Sequence, residues 1–394
     1  MHASIPHFIR FFVGLAAAII LLANPRPAAS QDTVVQQWAL STCNGVRSIS
    51  REEVAAGTGL AVSPDGRWLA LYVHTNRGGE VTLRPRDTGE SHRIELIPPA
   101  LPPGVTWRVL DVEFSPNGNL LAVRTTGAIW MADVAKGLIL YQVGVDPERQ
   151  IYPGKLSLAA DTLAVLFWPP ESYLAEAKAK KGVEVRFFEA ATGKFVRSMP
   201  MSVDSSDAWT NIELSPDAKW FALLRRATRW PGKAHLSVHS PISGLKRWQS
   251  KLFAEDFQWS ADGQTLIALG QRLVWLDAET GKQARESKFD AGSSEYHRLS
   301  VNEEAGLAVG KFSKYSRWKR SVMLNDRRES MIVLWRLDGA AVVCQAPLPL
   351  SLSLEAWLTS QGEIITLEET YDLRPQLRLL KSAQIVTYRL ATNH

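Results

Sequence analysis

The 394-residue sequence has only two cysteines, and neither belongs to a C-x-x-C redox pair or a C-x-x-C-H haem-attachment motif. It has no G-x-S-x-G nucleophile elbow, no Walker loop and no H-E-x-x-H zinc motif. The net charge is also small, since the 45 basic residues are nearly balanced by 40 acidic ones. We therefore expect no catalytic, cofactor-binding or metal-binding residues, and we expect no nucleic-acid partner.

Only one long apolar run is present, and it lies at the N-terminus. Arg10 precedes an uncharged apolar stretch over 11–23, which is too short for a membrane-spanning helix. This profile is typical of a secretory signal peptide, with cleavage after Ser30. We predict a signal peptide over 1–30 and a mature chain over 31–394, which is periplasmic or secreted and does not span a membrane. The alternative is an uncleaved membrane anchor.

The two cysteines, Cys43 and Cys344, belong to a chain expected in an oxidising compartment. A disulfide between them is one interpretation, and two buried free thiols are the other. If the pair forms, we expect it to tie the segment just past the closing strand to the outer strand of the preceding blade, as set out below.

The sequence repeats a strand, a tight turn and a second strand seven times. The clearest copies are GLAVSPDGRWLALYV from 59, VEFSPNGNLLAVRT from 112, IELSPDAKWFALLR from 212 and FQWSADGQTLIALG from 257. Weaker copies start at 155, 299 and 355. Asp65, Asp217 and Asp262 lie in these turns, and we interpret them as turn-forming residues rather than site residues.

A second pattern, a strand that ends in a polar turn with glycine, follows six of the seven copies, for example LVWLDAETGK from 273. One more apolar segment follows each, so that a full unit supplies four strands, and four-stranded units repeated radially make a propeller. We predict an all-β, single seven-bladed β-propeller. Six or eight blades and a β-sandwich are the alternatives. The last unit has only three strands, over 355–360, 363–369 and 384–390, and we expect the N-terminal segment 34–40 to supply its fourth strand and close the ring.

These turns, SPDG at 63–66 and DAETGK at 277–282, resemble those of the WD-repeat-like and TolB-like (YVTN-type) β-propeller superfamily. The resemblance covers almost all of the mature chain, but the sequence has neither the W-D dipeptide nor the G-H pair of true WD repeats. The resemblance therefore implies the architecture alone. Related propellers of periplasmic quinoprotein amine dehydrogenases imply an enzymatic alternative, with a site at the mouth of the central channel.

Three long insertions, at 168–182, 225–235 and 311–329, fall between the second and third strands of their blades and are expected on one face. They carry net charges of +1, +4 and +5, whereas residues 31–394 together carry only +3. Their charges are interleaved with aromatic side chains, which favour binding interfaces. The candidate partner-binding residues are Trp168, Lys180, Lys181, Arg225, Arg226, Arg229, Trp230, Lys233, Lys311, Lys314, Tyr315, Arg317, Trp318, Lys319, Arg320, Arg327 and Arg328.

These insertions predict a non-catalytic module that binds an anionic partner. A protein with an acidic surface is the first expectation, and an anionic glycan or a phospholipid headgroup is possible. The other interpretation is that the insertions are solvated loops whose tryptophans fold onto the blades.

Acidic residues in the connections into the inner strands are the enzymatic candidates. They are Asp146, Glu148, Asp207, Glu255, Asp256 and Glu295, with His297 nearby. We favour a solvated polar rim, because no spacing rule selects these residues. His235 and His239 lie four apart in a predicted strand, about 13 Å from each other, which disfavours a shared metal.

Overall fold

The structure is a computed structural model that describes the chain from residue 39 to residue 391, with gaps. The described residues are 39–73, 79–87, 89–98, 106–144, 152–168, 183–201, 207–227, 234–250, 254–270, 272–287, 294–314, 329–348, 352–374 and 377–391. Within these ranges one 3-10 helix occurs, at Ala39–Thr42, and all other regular elements are strands. The all-β prediction is therefore confirmed.

The strands are numbered in chain order, and the first is β1 (Val46–Val54). Blades one to three contain β2 (Thr58–Val62), β3 (Trp68–Val73), β4 (Gly79–Pro85), β5 (His92–Leu96), β6 (Val109–Phe114), β7 (Leu120–Thr125), β8 (Ala128–Asp133), β9 (Leu138–Gly144), β10 (Tyr152–Ala159), β11 (Thr162–Trp168), β12 (Glu184–Glu189) and β13 (Phe195–Pro200). Blades four to six contain β14 (Asp207–Leu214), β15 (Phe221–Ala227), β16 (Ala234–His239), β17 (Lys246–Ser250), β18 (Ala254–Trp259), β19 (Thr265–Gly270), β20 (Leu273–Asp277), β21 (Gln283–Glu286), β22 (Ser294–Asn302), β23 (Leu307–Lys314), β24 (Glu329–Arg336) and β25 (Ala341–Leu348). Blade seven contains β26 (Leu352–Leu358), β27 (Glu363–Arg374) and β28 (Leu377–Leu390), together with β1.

Each blade is a four-stranded antiparallel sheet. In blades one to six chain neighbours pair, so that the order within blade two is β6-β7-β8-β9, and in blade seven β1 pairs with β28. The second strands are buried on both faces, because each blade packs between two others. In β11, for example, Leu163 to Phe167 are all fully buried. Apolar clusters fill the spaces between blades, as where Phe187 of blade three meets Phe221 of blade four edge to face at 5.7 Å. This packing explains why the strands read as continuous apolar runs.

The turn between the first and second strands has the residues that its backbone requires. Gly66 has a φ of 73°, a left-handed conformation that costs glycine little. Before it, the Asp65 carboxylate accepts bonds from the Ser63 hydroxyl at 2.6 Å and the Arg67 N–H at 3.0 Å. Asp217 and Asp262 accept the same two kinds of bond in blades four and five. The interpretation of these aspartates as turn-forming residues is confirmed.

The N-terminal part of the chain closes the ring, but the predicted segment is wrong. The closing strand is β1, which pairs antiparallel with β28 as the outer strand of blade seven. In the predicted segment 34–40, Ala39 and Leu40 belong to the 3-10 helix, and 34–38 lie outside the described residues. The prediction sought an apolar segment, whereas an outer strand lies at the rim and β1 is exposed along nearly its whole length. Polar side chains suit such a strand.

Polar bonds also join blade seven to blade one. Arg84 of β4 forms an ion pair with Glu52 of β1. Arg86 donates to the Glu363 carboxylate at 2.7 Å and to the carbonyl of Gly66 at 3.0 Å. The joint at which the two ends of the chain meet is therefore held by charged bonds as well as by the β1–β28 ladder.

The structure bridges Cys43 and Cys344, whose Cα atoms are 5.6 Å apart. Cys344 lies in β25, the outer strand of blade six, as expected, whereas Cys43 precedes the closing strand instead of following it. Both cysteines pack with the fully buried Leu40 in one apolar cluster. The bridge therefore ties the start of the closing strand to the neighbouring blade.

Candidate functional site

The first strands of the seven blades surround a central cavity of about 730 Å³. These strands are β2, β6, β10, β14, β18, β22 and β26, and each contributes lining residues. A cavity of this size falls in the range of small-molecule sites, where a few convergent polar groups determine what binds.

One position in each first strand repeats around this cavity. It lies four residues before the residue that begins the following turn, which is Ser63 in blade one and Ser115 in blade two. In blade order this position holds Gly59, Asp111, Lys155, Asn211, Asp256, Arg298 and Glu355. All of these except Gly59 line the cavity.

Blade one supplies its polar group from the second strand. Gly59 pairs with Tyr72 across β2 and β3, and a Cβ atom at position 59 would lie only 2.2 Å from the Tyr72 ring. The Tyr72 side chain thus occupies the space in front of Gly59, and it also lines the cavity. We call Tyr72 and the six side chains of the other blades the charged ring.

Six members of the charged ring form three pairs, each between neighbouring blades. Lys155 Nζ donates to Asp111 Oδ2 at 3.2 Å, and Asn211 Nδ2 donates to Asp256 Oδ1 at 3.1 Å. An Arg298 guanidinium nitrogen lies 2.7 Å from Glu355 Oε2. The Lys155, Arg298 and Glu355 side chains are each about a third exposed, so that solvent enters the cavity.

Asp111 is the carboxylate with the most cationic surroundings. Burial by itself raises its pKa, but Lys155, Arg124 and Arg298 together lower that pKa below the ordinary value. Arg124, on β7, pairs with Asp111 in the ladder and approaches its carboxylate to 3.6 Å. Three cationic side chains therefore act on one point of the cavity wall.

Two residues further along the first strands, a second ring makes a different kind of bond. Its side chains accept hydrogen bonds from backbone N–H groups of the next blade's first strand. The pairs are Glu113 with Leu158 N at 3.3 Å, Ser157 with Leu214 N at 3.0 Å, Glu213 with Trp259 N at 3.2 Å, Gln258 with Val301 N at 2.9 Å and Ser300 with Leu358 N at 3.1 Å. We call these five side chains the stapling ring.

The stapling ring meets a need of the fold. A first strand pairs only with the second strand of its own blade, so that its other edge carries N–H groups without a ladder partner. Buried N–H groups of this kind need an acceptor, and the preceding blade supplies one. Burial, followed by the nearby Asp111, raises the pKa of Glu113 to about 8. Burial likewise raises the pKa of Glu213 well above its ordinary value. Glu113 is therefore mainly neutral at pH 7.

Of the acids singled out from the sequence, the structure brings Glu255 and Asp256 to the cavity. Asp207 lies in β14, and Glu295 and His297 lie in β22, but their side chains are outside the described part of the chain. Asp146 and Glu148 also lie outside it. The sequence analysis missed the rest of the charged ring, although aligning the seven repeats on their turns would have revealed it.

The two histidines of β16 have separate surroundings. His239 is buried, lies 2.9 Å from the Ser237 hydroxyl and stacks on Phe221 at 5.2 Å between ring centres. Burial lowers the pKa of His239 to about 4. His235 lies 3.2 Å from the Gln249 amide. Within the described ranges, no group of three or more metal-ligating side chains converges.

The strands that flank the three basic insertions are described, and they support the expected topology. Each insertion joins a second strand to a third strand, from β11 to β12, from β15 to β16 and from β23 to β24. Arg225 and Arg226 belong to β15, and Lys311 and Lys314 to β23, because these strands extend further than expected. Arg225 and Lys311 are half-buried.

The other predicted partner-binding residues lie outside the described residues or at their edge. Trp168 ends β11, and its side chain is outside the described part, as are the side chains of Arg226 and Lys314. Entirely outside it are Lys180, Lys181, Arg229, Trp230, Lys233, Tyr315, Arg317, Trp318, Lys319, Arg320, Arg327 and Arg328. Their contribution to a binding surface stays a prediction.

Comparison with solved structures finds propellers that match nearly the whole ring. A chain in the crystal structure of a mitotic checkpoint complex matches with a TM-score of 0.55 and 13% identity, over 89% of this chain and 96% of that chain. The C-terminal WD40 domain of Sif2 matches with a TM-score of 0.54 and 10% identity, over 86% and 89%. The β-propeller domain of Cps50 (Swd1) from Myceliophteria thermophila matches with a TM-score of 0.55 and 10% identity, over 86% and 98%.

This chain has the WD40-type propeller fold. The seven four-stranded sheets and the ring closure by β1 agree with that assignment. No protein-family model matches the sequence, and no curated protein matches it. In the part of this WD40-type propeller that the structure describes, no helix is long and apolar enough to cross a membrane.

Proposed function

We propose that this WD40-type propeller is an exported, non-catalytic interaction module that binds an acidic protein through its basic insertions. The observation that carries the proposal is the charge of one class of connection. The connections between second and third strands at 169–183, 228–233 and 315–328 have net charges of +1, +2 and +4. The rest of 31–394 then has a net charge of −4.

The strand order supports a common face for this charge. Because the blades share one antiparallel strand order, we expect the connections from second to third strands on one face of the ring. The turns between first and second strands are short and emerge on the other face. A face with this charge attracts acidic partners from a distance and accelerates their association.

The solved neighbours support a binding role at a coarse level. One of them is a chain in the crystal structure of a mitotic checkpoint complex. Tyr315, Trp318 and Trp230 in the insertions are suited to become buried anchors at such a contact.

The experiment begins with the protein isolated from its own host. Native mass spectrometry of the purified complex identifies a stoichiometric partner, and surface plasmon resonance then measures its binding to variants. The triple variant Arg317→Ala, Lys319→Ala, Arg320→Ala should slow association and make binding less dependent on salt. Trp318→Ala should mainly accelerate dissociation.

The matched control removes three charges on the opposite face, with Arg67→Ala, Lys219→Ala and Lys282→Ala. All three control residues are exposed in short turns. Equal loss of binding in the two sets of variants would refute the basic-face proposal. Binding of anionic glycans or anionic lipid vesicles, in place of an acidic protein, would correct the partner class.

Export is tested independently. We expect the mature protein to begin at Gln31, after removal of residues 1–30, and to be recovered from the periplasm or the medium. An intact N-terminus on protein in the cytoplasm would contradict this part of the proposal.

A further inference from the structure

Stability alone does not explain the ion pairs of the charged ring. Partly exposed ion pairs contribute little to the stability of a fold. The stapling ring, in contrast, stabilises the fold by satisfying backbone N–H groups. In the charged ring the Lys155–Asp111 and Arg298–Glu355 bonds join side chain to side chain and satisfy no backbone group.

The hydrogen-bonding capacity of the ring is unequally used. Both oxygens of Asp111 already accept bonds, from Val112 N at 3.1 Å and from Lys155 Nζ. Both oxygens of Asp256 do so as well, from Asn211 Nδ2 and from the N–H groups of Phe257 and Leu299. Asp111 and Asp256 therefore each accept a bond on both carboxylate oxygens.

The donors in the wall of the cavity are less fully used. A lysine has three N–H groups and an arginine five, and Lys155 and Arg298 each form one ion pair within the described part of the chain. Arg124 is 12% exposed, and its Nε is buried with no hydrogen-bond partner in the described part of the chain. A ligand that completes this wall must supply acceptors.

We propose that the central cavity binds a small oxyanion, a carboxylate or a phosphate group of a soluble ligand, between Lys155, Arg124 and Arg298. Guanidinium and ammonium groups form their strongest hydrogen bonds with such groups. The Asp111 carboxylate already occupies part of this cationic surrounding. Asp111 therefore competes with the ligand, and it limits the affinity of the site.

This competition gives a test with opposite signs. The full mature chain is titrated with succinate and, separately, with inorganic phosphate by isothermal titration calorimetry at low ionic strength. Lys155→Met and Arg298→Met should each weaken binding about tenfold, and Asp111→Asn should tighten it about tenfold, because each removes one nearby charge. Lys155→Arg, which keeps the charge, should bind within about threefold of the wild type.

Controls separate this site from the rest of the molecule. Lys219→Met, at a side chain that is 74% exposed in a distant turn, should leave the affinity unchanged. The triple variant of the basic insertions should also leave it unchanged, so that this proposal and the proposed function can fail separately. Melting curves verify that each variant is folded.

The outcomes are decisive in both directions. Binding of succinate alone assigns a carboxylate ligand, binding of phosphate alone assigns a phosphate ligand, and binding of both assigns a general oxyanion site. The proposal is overturned if neither probe binds the wild type at about 10 mM. It is also overturned if Asp111→Asn weakens binding or if Lys155→Met and Arg298→Met bind as the wild type does.

Discussion

The charged ring and the stapling ring lie two residues apart on the same strands, yet they make different bonds. Stapling-ring side chains such as Glu213 bond to the backbone of the next blade. In the charged ring Arg298 bonds to the Glu355 side chain, beside a cavity that solvent enters, although Asp256 also accepts the N–H of Leu299 in the next blade. Along a strand, a step of two residues keeps the face and changes the depth, so that depth separates the two roles. We infer that the stapling ring determines stability and the charged ring determines what the cavity binds.

The largest expected effect is the dependence of stability on pH through Glu113 of the stapling ring. The folded state raises the pKa of Glu113 from 4.5 to about 8, chiefly through burial. The folded protein then holds a proton that the unfolded chain loses. The stabilisation is complete below pH 4.5 and is lost as the pH rises to about 8, by at most about 1.4 kcal/mol per pH unit.

Urea unfolding from pH 4.5 to 8 measures this dependence. Glu113→Gln, which is neutral at every pH, should reduce the slope of unfolding free energy against pH. Some slope should remain, because the pKa of Glu213 is raised as well. Identical slopes for the wild type and Glu113→Gln would show that Glu113 is not protonated in the folded state.

The next effect separates the shape of a stapling side chain from its charge. Glu213→Ala leaves the N–H of the buried Trp259 without its acceptor, and we expect a loss of about 2–3 kcal/mol in unfolding free energy. Glu213→Gln keeps an acceptor oxygen for this N–H and a similar shape, and it should cost less than about 1 kcal/mol. Equal losses in the two variants, measured by urea unfolding at pH 7, would mean that the acceptor oxygen at this position does not stabilise the fold.

The sequence predicted the blades better than it predicted either ring. The clearest strand-turn-strand copies have a local cause, since the turns of blades one, four and five each have an aspartate cap such as Asp65 and a left-handed residue such as Gly66. The closing strand was misplaced because β1 lies at the rim and does not need apolar residues. For outer strands, apolar patterning carries little information.

The charged ring was missed for a different reason. The ring mixes charges of both signs, since Asp111 is acidic and Lys155 and Arg298 are basic, and no two neighbouring blades repeat the same residue type. Only their common distance from the turn relates them, and their bonds form between blades that are more than forty residues apart in sequence. In blade one the Tyr72 side chain fills the place that a side chain at Gly59 would take. Only the structure shows this arrangement across β2 and β3.

The packing of Tyr72 against Gly59 provides a third prediction, in the blade whose ring residue comes from the second strand. Gly59→Ala places a Cβ atom 2.2 Å from the Tyr72 ring, which must move from its buried position. We expect a loss of about 2 kcal/mol, as for other overpacked cores. Adding Tyr72→Leu should recover part of that loss, so that the two changes are coupled by more than about 0.5 kcal/mol. Additive losses in the double-mutant cycle would mean that the two sites do not compete for space.

The smallest expected effect on stability belongs to the charged ring itself. Arg298 and Glu355 are both more than a third exposed, and an ion pair of this kind contributes less than about 1 kcal/mol. Arg298→Met should therefore lower the unfolding free energy by less than Glu213→Ala does. Arg298→Met should have a larger effect on oxyanion binding than on stability.

The matched control applies the same change, arginine to methionine, to an arginine whose partner carboxylate is buried. Arg86→Met removes a bond to Glu363, whose side chain is only 4% exposed, at the joint between blades seven and one. Although Arg389 also pairs with Glu363, a buried carboxylate that loses one cation should cost about 2 kcal/mol. Urea unfolding of both variants under the same conditions makes the comparison. If Arg298→Met is as destabilising as Arg86→Met, the charged ring is part of the framework of the fold, and the division of roles between the two rings is wrong.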